Sequence, residues 1–166
     1  AFDLGHMIYM RAVLNGALHE AARNSTLETG PAAQATIDAA VTTRVKKVSK
    51  TADLSFSRKS YYDFTDVERA ETINENGTAN GICDTGETFE DENGNNSWDA
   101  DVGKSGFGGP RDILMYTVTM NYDRLFPLYG LLDMPQQGTM EISTVLKNQP
   151  YGAQGDAATP ETKPCP

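Results

Sequence analysis

The sequence has few cysteines, fewer basic than acidic residues, and no long hydrophobic run. Its two cysteines, Cys83 and Cys165, are too few for a disulfide-stapled scaffold and lack the C-x-x-C spacing of zinc and thiol redox sites. With 14 Lys+Arg against 23 Asp+Glu, the chain lacks the positive charge that nonspecific nucleic-acid binding requires. Its longest apolar stretches, such as residues 125–132, are far shorter than the roughly 20 residues that cross a bilayer.

Motifs of common enzyme classes are also missing. The chain has no G-x-S-x-G element, and neither cysteine has a histidine partner in its sequence context. His6 and His19 fall on one predicted helix without the acid spacing of an H-E-x-x-H pair. The many carboxylates lie in glycine-rich segments, without the apolar surroundings that suit a side chain to acid catalysis. We therefore expect a protein that is not an enzyme and has no small-molecule substrate.

What the chain does have is helical periodicity over residues 1–50. Apolar residues recur at spacings of three and four in two stripes, which are Met7, Met10, Leu14, Ala17, Leu18 and Ala21, and then Ile37, Val41, Val45 and Val48. Gly30-Pro31 separates the stripes and can end one helix and begin another. The pattern predicts two helices, or one amphipathic helix kinked at Gly30-Pro31.

The period changes to two over residues 51–152. Alternating apolar residues mark three half-buried strands, and these residues are Ala52, Leu54 and Phe56, then Leu114, Tyr116, Val118, Met120 and Tyr122, then Met140, Ile142, Thr144 and Leu146. Helices followed by such strands predict a single α+β domain, in which the helical stripe packs on an antiparallel sheet. Residues 153–166 are rich in Gly, Ala, Pro and Thr and are predicted to be a mobile tail.

Residues 63–110 form an insertion between the first two predicted strands. Residues 74–103 carry eight acidic side chains and no basic one, and the eight are Glu75, Asp84, Glu87, Glu90, Asp91, Glu92, Asp99 and Asp101. A loop this long inside a compact domain needs something to organise it.

The insertion contains a degenerate repeat that suggests calcium. Its two copies, the first loop (residues 74–87) and the second loop (residues 91–101), alternate short oxygen-bearing side chains with glycine, as calcium loops of the EF-hand and dockerin type do. Ca²⁺ takes six to eight oxygen ligands, so the chain must curl around it. The candidate ligands for one or two ions are Asn74, Asn76, Asn80, Asp84, Glu87, Asp91, Asn93, Asn95, Asp99 and Asp101, and Ser97 offers its carbonyl oxygen.

Both loops depart from the template. In the second loop Val102 stands where the closing Glu is expected, with Asp101 one place early, and Asn96 replaces the central glycine. In the first loop Glu87 stands at the closing position, but Thr78-Ala79 is inserted before Asn80. The alternative is a solvated acidic loop with no ion. Zinc is disfavoured because the insertion holds no histidine and only one thiol.

Two further features of the insertion leave alternatives open. Cys83 and Cys165 either form a disulfide that clamps the tail onto the insertion, or are two unrelated thiols. Five aromatic residues flank or lie in the insertion, and they either pack it onto the sheet or form a contact surface; they are Tyr61, Tyr62, Phe89, Trp98 and Phe107.

Several segments, in their order along the chain, resemble a known family. They are the opening Phe2-Asp3-Leu4-Gly5-His6, the helical Ala21-Ala22-Arg23, the later Leu125-Phe126-Pro127-Leu128 with Gly130, and the closing Leu146-Lys147-Asn148-Gln149-Pro150-Tyr151-Gly152. In this order they resemble TadE/TadG-like proteins, the minor pilins or pseudopilins of Tad (Flp) type IV pilus systems. The insertion ending Trp98-Asp99-Ala100-Asp101 is similar to one found in a subset of that family.

The resemblance implies a structural role in pilus assembly and surface attachment. Its partners would be other pilin or pseudopilin subunits, and the inner membrane through a hydrophobic helix upstream of Ala1, which the resemblance implies was removed from the chain. The domain would then face the periplasm of the bacterial cell envelope or be extracellular in the pilus. The rival hypothesis is a calcium-dependent adhesin or binding module that uses the acidic insertion as its contact surface.

Overall fold

In a computed structural model, the chain is described over residues 2–27, 29–77, 79–124, 135–157 and 159–166. The described residues form two α-helices, α1 (Phe2–Ser25) and α2 (Gln34–Lys46). They also form a 3₁₀ helix (Phe64–Asp66) and seven strands, which are β1 (Asp53–Tyr61), β2 (Ile73–Asn74), β3 (Thr88–Asp91), β4 (Lys104–Ser105), β5 (Ile113–Asp123), β6 (Gln137–Lys147) and β7 (Glu161–Pro164). None of the helices in this described part is long and apolar enough to cross a membrane.

The break between the helices is complete, so there are two helices and not one kinked helix. The chain turns tightly after α1, and a Cβ atom at Gly30 would lie 2.2 Å from the carbonyl oxygen of Ser25. Only glycine fits this close approach without moving the backbone. The predicted stripes are buried from Met10 to Val45, whereas Val48 is partly buried and Met7 is exposed.

The first sheet has the order β4-β1-β5-β6 and is antiparallel throughout. The three strands predicted from the alternating pattern are β1, β5 and β6. Their apolar face packs on α1 and α2 in one core that includes Leu14, Val41, Tyr116 and Val118. The α+β class and the packing of the helical stripe on the sheet are therefore confirmed.

A partly buried ion pair joins α2 to the first sheet. The Arg58 guanidinium on β1 donates to the Asp38 carboxylate on α2, and the hydroxyl of Tyr116 donates to the same carboxylate at 2.7 Å. The guanidinium carbon also lies 4.1 Å from the centre of the Tyr116 ring. Burial, reinforced by the bond to Asp38, raises the pKa of Tyr116 above its usual value.

The insertion is organised by a second antiparallel sheet, of order β2-β3-β7, which the sequence did not predict. The outer strand β7 comes from the predicted tail, so Glu161–Pro164 of that tail form a strand. Backbone bonds to β3 and a bond from the Cys165 amide to the carbonyl oxygen of Glu87, 2.9 Å long, hold this segment in place.

The aromatic residues of the insertion divide between packing and exposure. Tyr61 and Phe89 are buried, and the Phe107 ring lies under the Arg58 guanidinium, 5.0 Å from its centroid to the guanidinium carbon. Tyr62 is exposed. Tyr61, which packs with Val102, and Phe107, which lies against Arg58, therefore attach the insertion to the first sheet. The segment 125–130, on which part of the family resemblance rests, lies outside the described residues, as does Thr78.

Candidate metal centre

The second loop begins at the last residue of β3, Asp91. This side chain is only 4% exposed. Its Oδ1 accepts from the backbone amides of Gly94 and Asn95, at 2.7 and 3.2 Å, and its Oδ2 accepts from the amide of Asn96 at 2.9 Å. Both carboxylate oxygens thus bind the amides that follow, and this curls the chain around the side chain. Asn96 accepts the left-handed conformation, with φ of 64°, that the template assigns to glycine.

Three more predicted ligands converge inside this curl. The side-chain amides of Asn93 and Asn95 both donate to Oδ2 of Asp99, at 2.7 and 2.6 Å. Their own oxygens accept from the backbone amides of Asn95 and Ser97. Asp91, Asn93, Asn95 and Asp99 are therefore brought together by the fold.

Glu71 organises the second loop from outside it, and sequence analysis did not find this residue. It is 2% exposed and precedes β2. Its Oε1 accepts from the amides of Glu92 and Asn93, at 2.9 and 3.3 Å, and its Oε2 accepts from the amide of Asp99 at 3.1 Å. The calcium-loop template does not extend to an acidic residue twenty positions before the loop. The partners of Glu71 are backbone amides, which no sequence motif specifies.

The main chain of Glu71 also forms hydrogen bonds with the second loop. Its amide donates to the carbonyl oxygen of Asp99 at 3.0 Å, and its own carbonyl oxygen accepts from the Trp98 indole at 3.1 Å. Main chain and side chain of one residue therefore hold both ends of the second loop.

Asp101 bonds to two residues of β1 and to the main chain of Gly103. Its Oδ2 accepts from Nζ of Lys59 at 2.6 Å and from the Tyr61 hydroxyl at 3.0 Å, and its Oδ1 accepts from the amide of Gly103. Burial alone would raise the pKa of Asp101, but the bonds from Lys59, Gly103 and Tyr61 outweigh it and lower the pKa. Asp101 is thus an anchor of the insertion on β1, and its assignment as a metal ligand stays a prediction.

A second ion pair of the insertion joins Arg69 to Glu92. The Arg69 guanidinium donates to both oxygens of Glu92, at 2.8 and 2.6 Å, and to Asp66. The bond with Glu92 is the largest cause of the raised pKa of Arg69. Basic residues from outside residues 74–103 thus offset part of the acidic charge.

The first loop is closed by Glu87, as the template expects, but through backbone amides. Its Oε1 accepts from the amide of Asn76 and its Oε2 from the amide of Asp84, both at 3.1 Å. Within the loop, the side-chain amide of Asn80 donates to Oδ2 of Asp84 at 2.7 Å. Asn74 lies apart on β2, where its amide is 3.4 Å from the Thr88 hydroxyl.

Glu75 is a second residue that the sequence did not single out. Its Oε1 accepts from the amide of Gly81 at 3.0 Å. Its Oε2 is buried and finds no hydrogen-bond partner within the described part of the chain. A buried carboxylate oxygen without a partner is costly unless a cation or another donor satisfies it.

The two cysteines are joined. A disulfide links Cys83 of the first loop to Cys165, which lies 82 positions later in the sequence, and the two Cα atoms are 5.3 Å apart. Of the two readings that the sequence left open, the clamp is the one found.

The residues present fit a hard cation only in part. Among the described residues, no group of three or more His, Cys, Asp or Glu is arranged to hold a metal. In the second loop the donor set is two carboxylates and two amides, and Asn93 and Asn95 present nitrogen to Asp99. Calcium would require both amides to turn and present oxygen, because the nitrogen carries the two hydrogens.

No protein-family model, curated protein or solved structure matches this chain.

Proposed function

We propose that this chain is a structural minor pilin or pseudopilin of a Tad (Flp) pilus system. In this proposal α1 joins it to other subunits, and a calcium-stabilised insertion stiffens its exposed end. The protein contributes to pilus assembly and surface attachment, and it makes and breaks no bond. A location in the bacterial envelope or in the pilus belongs to the same proposal.

The first turns of α1 carry this proposal. Leu4 is 57% exposed and Ile8 is 59% exposed, and Met7 and Tyr9 are exposed beside them. Successive helical residues point roughly 100° apart, so Ile8 and Tyr9 lie on different faces of the helix. A helix that is apolar on several faces needs a partner on more than one side. Because full burial begins only at Met10, the exposed side chains of these turns are available to pack against other subunits.

Calcium is the second element of the proposal. Asp91, Asn93, Asn95 and Asp99 would hold the ion, since the side chains of Asn93 and Asn95 already meet that of Asp99, and the Asp91 carboxylate binds backbone amides of the same loop. The ion would supply positive charge to an insertion with few cations of its own, and it would order the loop. The unpartnered oxygen of Glu75 supports a second ion in the first loop.

The assembly role is tested at the exposed helix face. We expect the double variant Leu4→Asp with Ile8→Asp to fold normally, because both side chains are exposed, but to disappear from the pilus fraction sheared from cells. Phe64→Asp is the matched control, since Phe64 is 54% exposed and lies far from α1 in the sequence. Normal incorporation of the double variant would contradict the proposal.

The metal is tested by thermal unfolding in excess EDTA and then across a calcium titration, with magnesium as the control ion. Calcium at one hundred times its dissociation constant should stabilise the fold by about 2.7 kcal/mol. Asp91→Asn with Asp99→Asn should remove this stabilisation. An unfolding temperature that does not respond to calcium in the unaltered protein would remove the ion from the proposal.

A calcium-dependent adhesin is the second candidate, and one observation favours it. Ile82 is 59% exposed and presents an apolar side chain in the first loop, which also carries Glu75, Asp84 and Glu87. If the Asp91→Asn, Asp99→Asn variant assembles into pili but loses attachment to surfaces, the insertion is the contact surface. Loss of assembly or of stability would favour the structural role.

A further inference from the structure

The C-terminal strand β7 completes the sheet that supports the second loop. It pairs with β3 over four residues, from Thr88 opposite Pro164 to Asp91 opposite Glu161. On the other side of β3, β2 contributes only two residue pairs. Three strands are about the least that gives a small sheet independent stability, so β3 depends on β7.

Very little packing holds β7 in place. Among residues 161–166, all of which are described, Cys165 alone is buried. The preceding segment is tied by the Gln154 side chain, which donates to the carbonyl oxygen of Tyr62 and to Asp112. The attachment of β7 therefore rests on exposed backbone bonds and on the disulfide from Cys165 to Cys83.

The disulfide also reaches the first loop directly. Next to it, the Thr85 hydroxyl donates to the carbonyl oxygen of Pro166 at 2.7 Å. One covalent bond thus joins the first loop to the strand that supports the second loop. Exposed backbone bonds without apolar burial open readily, so the bond between the two cysteines is what limits opening here.

We propose that the Cys83–Cys165 disulfide is a redox-controlled clamp whose reduction releases β7 and loosens both loops, while the helices and the first sheet stay folded. A dithiol reductant supplies the two electrons. One of its thiolates attacks a cysteine sulfur to form a mixed disulfide, and its second thiolate then displaces that cysteine. The products are two cysteine thiols and the cyclic oxidised reductant.

Reduction should leave the helices and the first sheet folded, because their core lies apart from the second sheet. Among the described residues, the core shared by the helices and the first sheet contains no residue of β2, β3 or β7. Losing β7 therefore removes no buried side chain from that core. The order of the acidic insertion becomes conditional on an oxidising compartment.

Amide hydrogen exchange of the full chain tests the clamp. It would be measured in EDTA for the oxidised protein, for the protein reduced with dithiothreitol, and for the Cys83→Ser, Cys165→Ser variant. We expect the amides of β3 and of Gly94, Asn95 and Asn96 to exchange at least about tenfold faster in the last two samples. Amides of β1 and β5 should be unchanged, and reoxidation should restore protection.

Either of two outcomes would overturn the proposal that the disulfide is a clamp. Equal protection of β3 in the oxidised and reduced protein would show that β7 stays in place without the bond. Loss of protection across β1 and β5 as well would show that the disulfide stabilises the whole fold and not the insertion alone.

The clamp also predicts an effect of reduction on calcium binding, and this prediction rests on the proposed function. If the second loop binds calcium, reduction should weaken that binding at least about tenfold, since the bound conformation must then be rebuilt. Calcium titration of the oxidised protein separates the two proposals. If the oxidised protein binds no calcium, the metal proposal fails, while the exchange result in EDTA still decides the clamp.

Discussion

Removing the Glu71 carboxylate should unfold the second loop locally. The side chain is 2% exposed and accepts three backbone amide bonds, from Glu92, Asn93 and Asp99. A hydrogen bond to a charged group contributes about 1.5–3 kcal/mol, so three independent bonds would give roughly 4.5–9 kcal/mol. The bonds share one side chain, and a surface loop can open to water, so we expect Glu71→Ala to cost about 3–5 kcal/mol.

Hydrogen exchange of those three amides is the assay. A loss of about 3 kcal/mol corresponds to exchange roughly a hundredfold faster, and 5 kcal/mol to more than a thousandfold. Glu71→Gln keeps the volume and one acceptor oxygen, so its effect should be intermediate.

Glu90→Ala is the matched control for this prediction. Glu90 is an acidic residue on β3 whose side chain makes no hydrogen bond among the described residues, so exchange should stay near that of the unaltered protein. If the three amides in Glu71→Ala exchange within about threefold of the unaltered protein, Glu71 does not organise the loop.

Two further predictions concern ion pairs of the first sheet. Asp38→Ala leaves the Arg58 side chain, which is 4% exposed, without its carboxylate partner, and should lower the unfolding free energy measured in urea by about 3–5 kcal/mol. A loss below about 1 kcal/mol would show that water replaces the partner. The pKa of Asp101 is lowered in the folded protein, so its contribution to stability is full above its ordinary value of 3.8 and is lost as pH falls through the folded value. Asp101→Asn should therefore flatten the decline of unfolding free energy below about pH 4, and an unchanged profile would refute the role assigned to Lys59 and Tyr61.

The sequence by itself determined the helices, the three long strands and their packing. Hydrophobic periods of 3.6 residues for a helix and 2 for a strand can be read from short stretches of sequence. The burial of Leu14 and Val41 on α1 and α2 and of Val118 on β5 therefore follows from spacing alone. The convergence of Asp91, Asn93, Asn95 and Asp99 was also visible in the spacing, because a loop of alternating Asx residues curls on its own amides.

Only the tertiary structure decided what surrounds that loop. The strands of the second sheet are two to four residues long, too short for a period to show, and β7 comes from a segment rich in Gly, Ala and Pro. Glu71 and Glu75 carry no motif, because they bind backbone amides that every residue other than proline provides. Asp101 and Lys59 meet across 42 positions, and Cys83 and Cys165 across 82. Such pairs form only when the whole chain has folded, since no local pattern specifies a partner that distant in sequence.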